Sequence, residues 1–185
     1  MIGFEANRKI QMTQNEISSL IFASLEDPAA FGVLYDRYVQ HIYRYAYSRV
    51  ENAREAEDIT AQTFIAAYES LARYRERGHF SAWLFRIAQS EIQNHFRRSR
   101  REVGLDAVRR LAEADDALVA VIQDEELSRL RSLIKKLDDD ERELIRLRYV
   151  AELSFAEMAD LLGRREDAVK KSVYRLLERL KGQME

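Results

Sequence analysis

Four times along this chain a small polar residue stands three positions ahead of a glutamate, and each time an apolar repeat at helical spacing follows. The pairs are Thr13 with Glu16, Asn52 with Glu55, Asp138 with Glu141, and Ser154 with Glu157. In each pair the leading side chain can accept the free backbone N–H groups of a helix start, and the glutamate can reach back to the leading residue's own N–H. One proline and six glycines are all that interrupt 185 residues, and no stretch alternates in the manner of a strand. The chain is therefore expected to be all-α. With 46% hydrophobic residues it can build real cores, and its composition favours two small helical domains over one large one.

After the first cap, Ile17, Leu20, Ile21 and Leu25 repeat until Asp27-Pro28, where a first helix should stop. Phe31, Leu34, Tyr35, Tyr38, Ile42 and Tyr45 keep the same period and predict a second helix to about Val50, its aromatic stripe facing the core. The third helix is expected from Asn52 to about Arg75. Ala56, Ile59, Thr60, Thr63, Phe64, Ala67, Leu71 and Tyr74 form its inward side. Asp58, Gln62, Ile65 and Glu69 fall opposite, where Ile65 reads either as a scattered surface isoleucine or as part of a docking stripe for another protein. Beyond the basic loop from Arg73 to His79, a fourth helix should begin near Phe80, burying Phe80, Trp83, Leu84, Ile87 and Ala88 and presenting Arg86, Gln89, Gln93 and Arg97 on its other face. Glu91 interrupts the apolar face and could end its burial.

The net charge of −2 conceals strong segregation along the chain. Arg97, Arg98, Arg100 and Arg101 crowd the end of the fourth helix, whereas residues 102 to 126 carry eight acids against Arg109 and Arg110, a local charge of −6. This acidic stretch reads as a linker.

In the last third, Leu127, Leu130, Ile134 and Leu137 predict one helix, and Leu144, Ile145, Leu147 and Tyr149 the next. Phe155, Met158, Ala159 and Leu162 then make a short helix before Gly163 turns the chain, and Val169, Val173, Leu176, Leu177 and Leu180 line a longer one. Short helix, glycine turn, longer helix is the helix-turn-helix arrangement, whose second helix enters the DNA major groove. Residues 164 to 181 hold seven bases against three acids. Ala168, Lys171, Arg175 and Glu178 fall opposite the apolar side, and Arg164 and Arg165 sit at the helix start, where phosphate contacts are usual. The competing interpretation is a solvated basic face on an ordinary helical hairpin.

Other classes find no support. Cysteine is absent, which excludes disulfides and thiolate metal sites. His41, His79 and His95 share no ligand spacing, and no metal or cofactor is expected. Neither a Gly-rich phosphate loop nor a nucleophile constellation suggests an enzyme. No apolar run approaches the roughly 20 residues that cross a bilayer, and the N-terminus lacks the apolar centre of a signal peptide. A cytoplasmic protein without membrane insertion of its own is expected.

Two pairs of strings carry a family resemblance. Ala56-Glu-Asp-Ile-Thr-Ala-Gln-Thr-Phe64 and Phe80-Ser-Ala-Trp-Leu-Phe-Arg-Ile-Ala88 lie in the first half, and Leu137-Asp-Asp-Asp-Glu-Arg-Glu143 and Leu153-Ser-Phe-Ala-Glu-Met-Ala159 in the second. In this order and spacing the chain resembles the extracytoplasmic-function subfamily of bacterial RNA polymerase sigma factors, over residues 31 to 101 and 127 to 181. The resemblance implies three parts: residues 1–102 as a region 2 domain, 103–126 as an acidic linker and 127–185 as a region 4 domain with the helix-turn-helix. It further implies that Asp58, Gln62, Ile65 and Glu69 dock on the clamp coiled coil of the polymerase largest subunit, the flap being a second contact of the core enzyme. Arg75, Arg77, Trp83, Arg86, Gln89, Gln93, Asn94, Arg97, Arg98, Arg100 and Arg101 would capture and open the promoter −10 element. Arg164, Arg165, Ala168, Lys170, Lys171 and Arg175 would read the −35 element as duplex. An anti-sigma protein is implied as an inhibitory partner.

The chain departs from the family pattern at Ser90, Asn94, Gln62 and Arg165, so the promoter sequence does not carry over. Arg165 is a poor helix cap, costing about 1 kcal/mol relative to Ser or Asp, which Glu166 and Asp167 partly offset through the helix dipole. The linker, about 24 residues at ~3.4 Å each, could span roughly 80 Å, comparable to some two dozen base pairs. Two other functions compete: a stand-alone helix-turn-helix regulator that never touches polymerase, which leaves the first half unexplained, and a sigma-mimicking adaptor that binds an anti-sigma protein, which leaves the basic helix unexplained.

Overall fold

A computed structural model describes residues 12–75, 79–102 and 125–184. The described residues form helices and turns, without strands. In chain order the α-helices are α1 (Gln14–Ala23), α2 (Pro28–Val50), α3 (Ala53–Ser70), α4 (Phe80–Glu102), α5 (Glu125–Lys135), α6 (Asp139–Ile145), α7 (Phe155–Leu162) and α8 (Glu166–Met184). A 3-10 turn, Leu71–Arg73, closes α3, and a π turn, Arg146–Val150, follows α6. Most of the acidic stretch, residues 103–124, lies outside the described residues.

The caps set the helix starts. Thr13 accepts the Glu16 N–H at 3.3 Å while the Glu16 carboxylate accepts the Thr13 N–H at 2.6 Å, so both orphan donors are satisfied locally. The Thr13 N–H and hydroxyl, both donating to the Glu16 carboxylate, hold it below its ordinary range. The same reciprocal box occurs at Ser154 and Glu157, at 3.2 and 2.7 Å. Asn52 and Asp138 accept the N–H three residues on, at 3.1 and 2.8 Å. Asp27-Pro28 does not act as the expected stop for the first helix. That helix has already ended at Ala23, and Asp27 caps α2 by accepting the Ala29 N–H at 2.8 Å, with Pro28 in the first turn. A missing N–H costs nothing there.

The first unit packs α2 against α1, α3 and α4, and α3 against α4. Leu34, Ile42, Tyr45, Ala46, Ala56, Thr63, Ala67 and Leu84 have no exposed surface. Inside α3 the buried Thr60 and Thr63 hydroxyls donate to the Ala56 and Ile59 carbonyls at 2.7 Å, so these two hydroxyls enter the core already paired. The second unit packs α5, α6 and α7 against α8. Gly163 turns the chain between α7 and α8 at φ 62°, a conformation that glycine adopts without a Cβ penalty. The Gly163 and Arg164 N–H groups close back on the Asp160 and Ala159 carbonyls at 3.3 and 3.0 Å.

Three expectations need correction. Tyr35 is 41% exposed, its ring packing edge-on against Phe64 with centroids 4.7 Å apart, because the stripe of α2 is wider than the surface that α3 covers. Tyr149 is 52% exposed, because the π turn rotates it out of the register that Leu144 and Leu147 set. Burial on α4 does not end at Glu91: Ile92 is 1% exposed, and Trp83 and Ile87 are only half-buried. Ser81, Phe85 and Ile92, continuing from Ala88 of the expected face, form a second buried stripe beside it.

That second stripe reflects a contact between the two units. α4 packs on α7, and α2 on the π turn. One continuous apolar cluster runs from Ile17 through Phe85 and Ile92 to Leu147, Met158, Val169 and Val173. A separate small cluster of Leu137, Leu176 and Leu180 holds the base of α8.

Candidate polymerase and nucleic-acid interfaces

On α3, the inward residues fix the helix and leave Asp58, Gln62, Ile65 and Glu69 in solvent along one line. Ile65 is 50% exposed and Tyr68, on a neighbouring line, 44%. The line is acidic and amide-bearing with an apolar centre, a composition suited to a protein surface with basic and apolar groups.

The corner between α3 and α4 is held by rings. Tyr74 packs on Trp83 and Phe80 with centroids 4.8 and 5.7 Å apart, and Tyr38 lies 5.6 Å from Phe80. Trp83 is thereby locked half-buried beside the basic loop, with Arg75 exposed at its start. Arg77 lies outside the described residues, as do the side chains of Arg100 and Arg101. Along α4, Gln93, Arg97 and Arg98 are exposed. Asn94 is half-buried, donating to Glu91 at 3.2 Å and accepting from Arg97. Arg86 and Gln89, by contrast, are already engaged. Arg86 holds the side chain of Asp160 at 3.0 Å and also its carbonyl, and Gln89 donates to Glu143 at 3.1 Å.

These bonds belong to a seam of four acids of the second unit, each met by groups of the first. Glu143 accepts from the Tyr45 hydroxyl at 2.5 Å and from Arg49 at 2.7 Å. Glu152 lies 3.1 Å from Arg44 and 3.4 Å from His41. Glu157, while one oxygen serves its own cap, accepts the Ser81 hydroxyl on the other at 2.6 Å. Asp160 accepts the His79 backbone N–H at 3.0 Å. Burial pushes the Asp160 carboxyl up, but the His79 N–H and Arg86 outweigh it and hold the group below its ordinary value. Burial, reinforced by the Glu143 charge, pushes the Tyr45 phenol up. Sequence reasoning missed this seam. Phe85 with Ile92 on α4 was the available signal, because two large apolar residues at i and i+7 beside Arg86 and Gln89 mark a second covered face.

In the second unit, Arg164, Arg165, Ala168, Lys170, Lys171 and Arg175 are all exposed, while Val169, Val173, Leu176 and Leu180 are buried behind them. Arg165 occupies the cap position, its carbonyl accepting from Ala168 and Val169 at 3.0 and 3.1 Å. Arg164 folds back on Ser172 at 2.9 Å. Arg179 turns instead toward α6 and pairs with Glu141 at 2.5 Å. The result is an unobstructed face of three to four turns carrying a small residue, Ala168, between bases, which lets a backbone approach closely while Lys171 and Arg175 reach outward.

Among the described residues no group of acids and histidines could hold a metal ion, and no helix is long and apolar enough to cross a membrane. Residues 34–102 match the family Sigma-70 region 2, and residues 127–180 match Sigma-70, region 4. The chain is 32% identical over 169 residues to the ECF RNA polymerase sigma factor SigW of Bacillus subtilis, covering 85% of this chain and 90% of that one. It is 33% identical over 158 residues to the ECF RNA polymerase sigma factor BldN of Streptomyces coelicolor, a match covering 82% of this chain but 59% of BldN. Among solved structures it is similar to CnrH in complex with the cytosolic domain of CnrY, with a TM-score of 0.62, 26% identity, and coverage of 89% of this chain and 94% of that one.

Proposed function

Because this chain belongs to the extracytoplasmic-function family of RNA polymerase sigma factors, we propose that it grips core polymerase and two promoter elements through separate surfaces of its two units. The exposed line Asp58, Gln62, Ile65 and Glu69 docks on the clamp coiled coil, with the flap as a second contact. The corner at Trp83 and the face through Arg86, Gln89, Gln93 and Arg97 take the −10 strand. There an unstacked base is held against protein while basic groups hold the backbone, without any chemistry on the base. The α8 face through Ala168, Lys171 and Arg175 reads the −35 duplex in the major groove. Residues 1–102 and 127–185 are the two working parts, and 103–126 the tether that lets one molecule reach both elements.

The observation that carries this reading is the division of labour on α8: Val169, Val173, Leu176 and Leu180 are sealed in the core while every proposed DNA-contacting residue of the helix stands in solvent. The protein acts as an initiation factor without catalysis of its own, works in the cytoplasm, and is held in check by an anti-sigma protein. In support, CnrH was solved with the cytosolic domain of another protein bound. Fluorescence anisotropy on promoter duplex separates this reading from a stand-alone regulator and from an adaptor. A sigma factor gives sequence-specific binding mainly with core polymerase present, a regulator gives it alone, and an adaptor gives none.

A further inference from the structure

Of the bases proposed to meet the −35 duplex, Arg164 is tied down. Its guanidinium donates to the Ser172 hydroxyl at 2.9 Å, and that hydroxyl donates in turn to the Ala168 carbonyl at 2.9 Å. Arg165, Lys170, Lys171 and Arg175 stand exposed and make no side-chain bond among the described residues. A serine hydroxyl has one proton and two lone pairs. Here the proton is spent on the carbonyl one turn back, so the rotor is fixed and a lone pair is aimed at Arg164. The backbone of Arg164 is fixed as well, because its N–H closes on the Ala159 carbonyl at 3.0 Å. The residue is therefore held at both ends, by the close of α7 and by the second turn of α8.

Ala168, Ser172 and Arg175 fall on one line of α8. The guanidinium thus comes to rest beside the small side chain that lets a strand approach. One of its five N–H donors serves Ser172, which leaves donors of an exposed group for a phosphate oxygen. We propose that Ser172 is a positioning residue for −35 binding: it holds Arg164 along α8, where the guanidinium clamps a phosphate of the strand admitted at Ala168, and it does not itself touch DNA. This inference deepens the sigma-factor reading and rests on it. A loose arginine gives up much rotamer freedom when it clamps a phosphate. One already held gives up less, so part of the ordering cost is met before DNA arrives.

The test uses the full-length protein bound to core polymerase. The probe is a fluorescent promoter duplex that the wild-type complex selects from a random library, and anisotropy is read across a salt series. Ser172→Ala should weaken binding about three- to tenfold, the effect of one ordinary hydrogen bond. It should also flatten the salt dependence toward that of Arg164→Ala, whose slope falls by about one phosphate. In the Arg164→Ala background, Ser172→Ala should change nothing further, because both act through one contact. Ser172→Thr keeps the hydroxyl and should restore affinity and slope, with circular dichroism spectra of all variants matching the wild type. The proposal is overturned if Ser172→Ala binds like the wild type, or if its loss persists in full without Arg164, which would mean that the hydroxyl meets DNA itself. It is equally overturned if Ser172→Ala lowers helicity while the salt slope stays put, the mark of a purely structural staple. A library from which the wild-type complex selects no duplex is a separate result: it removes the sigma-factor reading, and this inference with it.

Discussion

The Tyr45 hydroxyl donates to the Glu143 carboxylate at 2.5 Å, joining α2 to α6 across 98 positions of sequence. Tyr45 has no exposed surface and its ring packs edge-on against Phe85 with centroids 5.3 Å apart. The phenol therefore serves both the first unit's core and the contact between units. Tyr45→Phe keeps the ring and removes the donor, leaving Arg49 and Gln89 on the carboxylate. A hydrogen bond to a charged group predicts a loss of about 1.5–3 kcal/mol, read by urea unfolding, with near-wild-type helicity.

The same phenol gives an alkaline signature. Burial and the Glu143 charge raise it above the ordinary tyrosine value of 10.0. A group with a raised folded pKa contributes stability that is complete below its unfolded value and is lost as pH rises through the folded one. Stability should therefore fall as pH climbs past about 10, and the Tyr45→Phe variant should lack that part of the decline; denaturant midpoints across this range measure the difference.

At the acid end, the Asp160 carboxyl is held below its ordinary value of 3.8 by the His79 N–H and Arg86 despite burial. The sign is opposite. Its contribution is present above the unfolded value and disappears as pH falls through the lower folded one. Unfolding midpoints of Asp160→Asn and wild type should draw together as pH falls below 3.8 and through the lower folded value, and diverge toward neutrality, the wild type being the more stable.

How much of this could be read from the chain itself differs from element to element. The Thr13–Glu16 and Ser154–Glu157 boxes, the glycine turn at Gly163 and the inward face of α3 are local: their signals lie within one or two turns, and they are where periodicity and caps place them. Tyr35 and Tyr149 depart because exposure depends on how wide a neighbour is and on one π turn, neither of which leaves a mark in a 3.6-residue period. The acidic seam was hidden for a different reason. Glu143, Glu152, Glu157 and Asp160 meet partners 54 to 111 positions away, and an acid on a helix surface looks the same whether it faces water or a distant arginine.

Gly163 at φ 62° has open space around the position a Cβ would take. The cost of Gly163→Ala is thus backbone strain alone, about 1–2 kcal/mol, and Gly163→Asn should cost less. Thermal unfolding checks the order, and −35 duplex binding should weaken with it, because the turn sets how α8 is presented.

On the two proposed grips, Lys171→Ala or Arg175→Ala should weaken −35 binding by about 1–3 kcal/mol if the side chain contacts a base, or reduce the salt dependence if it contacts a phosphate. Ile65→Asp with Asp58→Arg should abolish core polymerase binding in a pull-down while the circular dichroism spectrum stays helical, since both side chains stand in solvent.

The most direct measurement is run-off transcription by purified core polymerase over a library of promoter fragments, with and without this protein. Initiation at defined start sites that appears only when the protein is added is the predicted result. A core enzyme that forms no complex with it and gains no start-site selectivity would contradict the account.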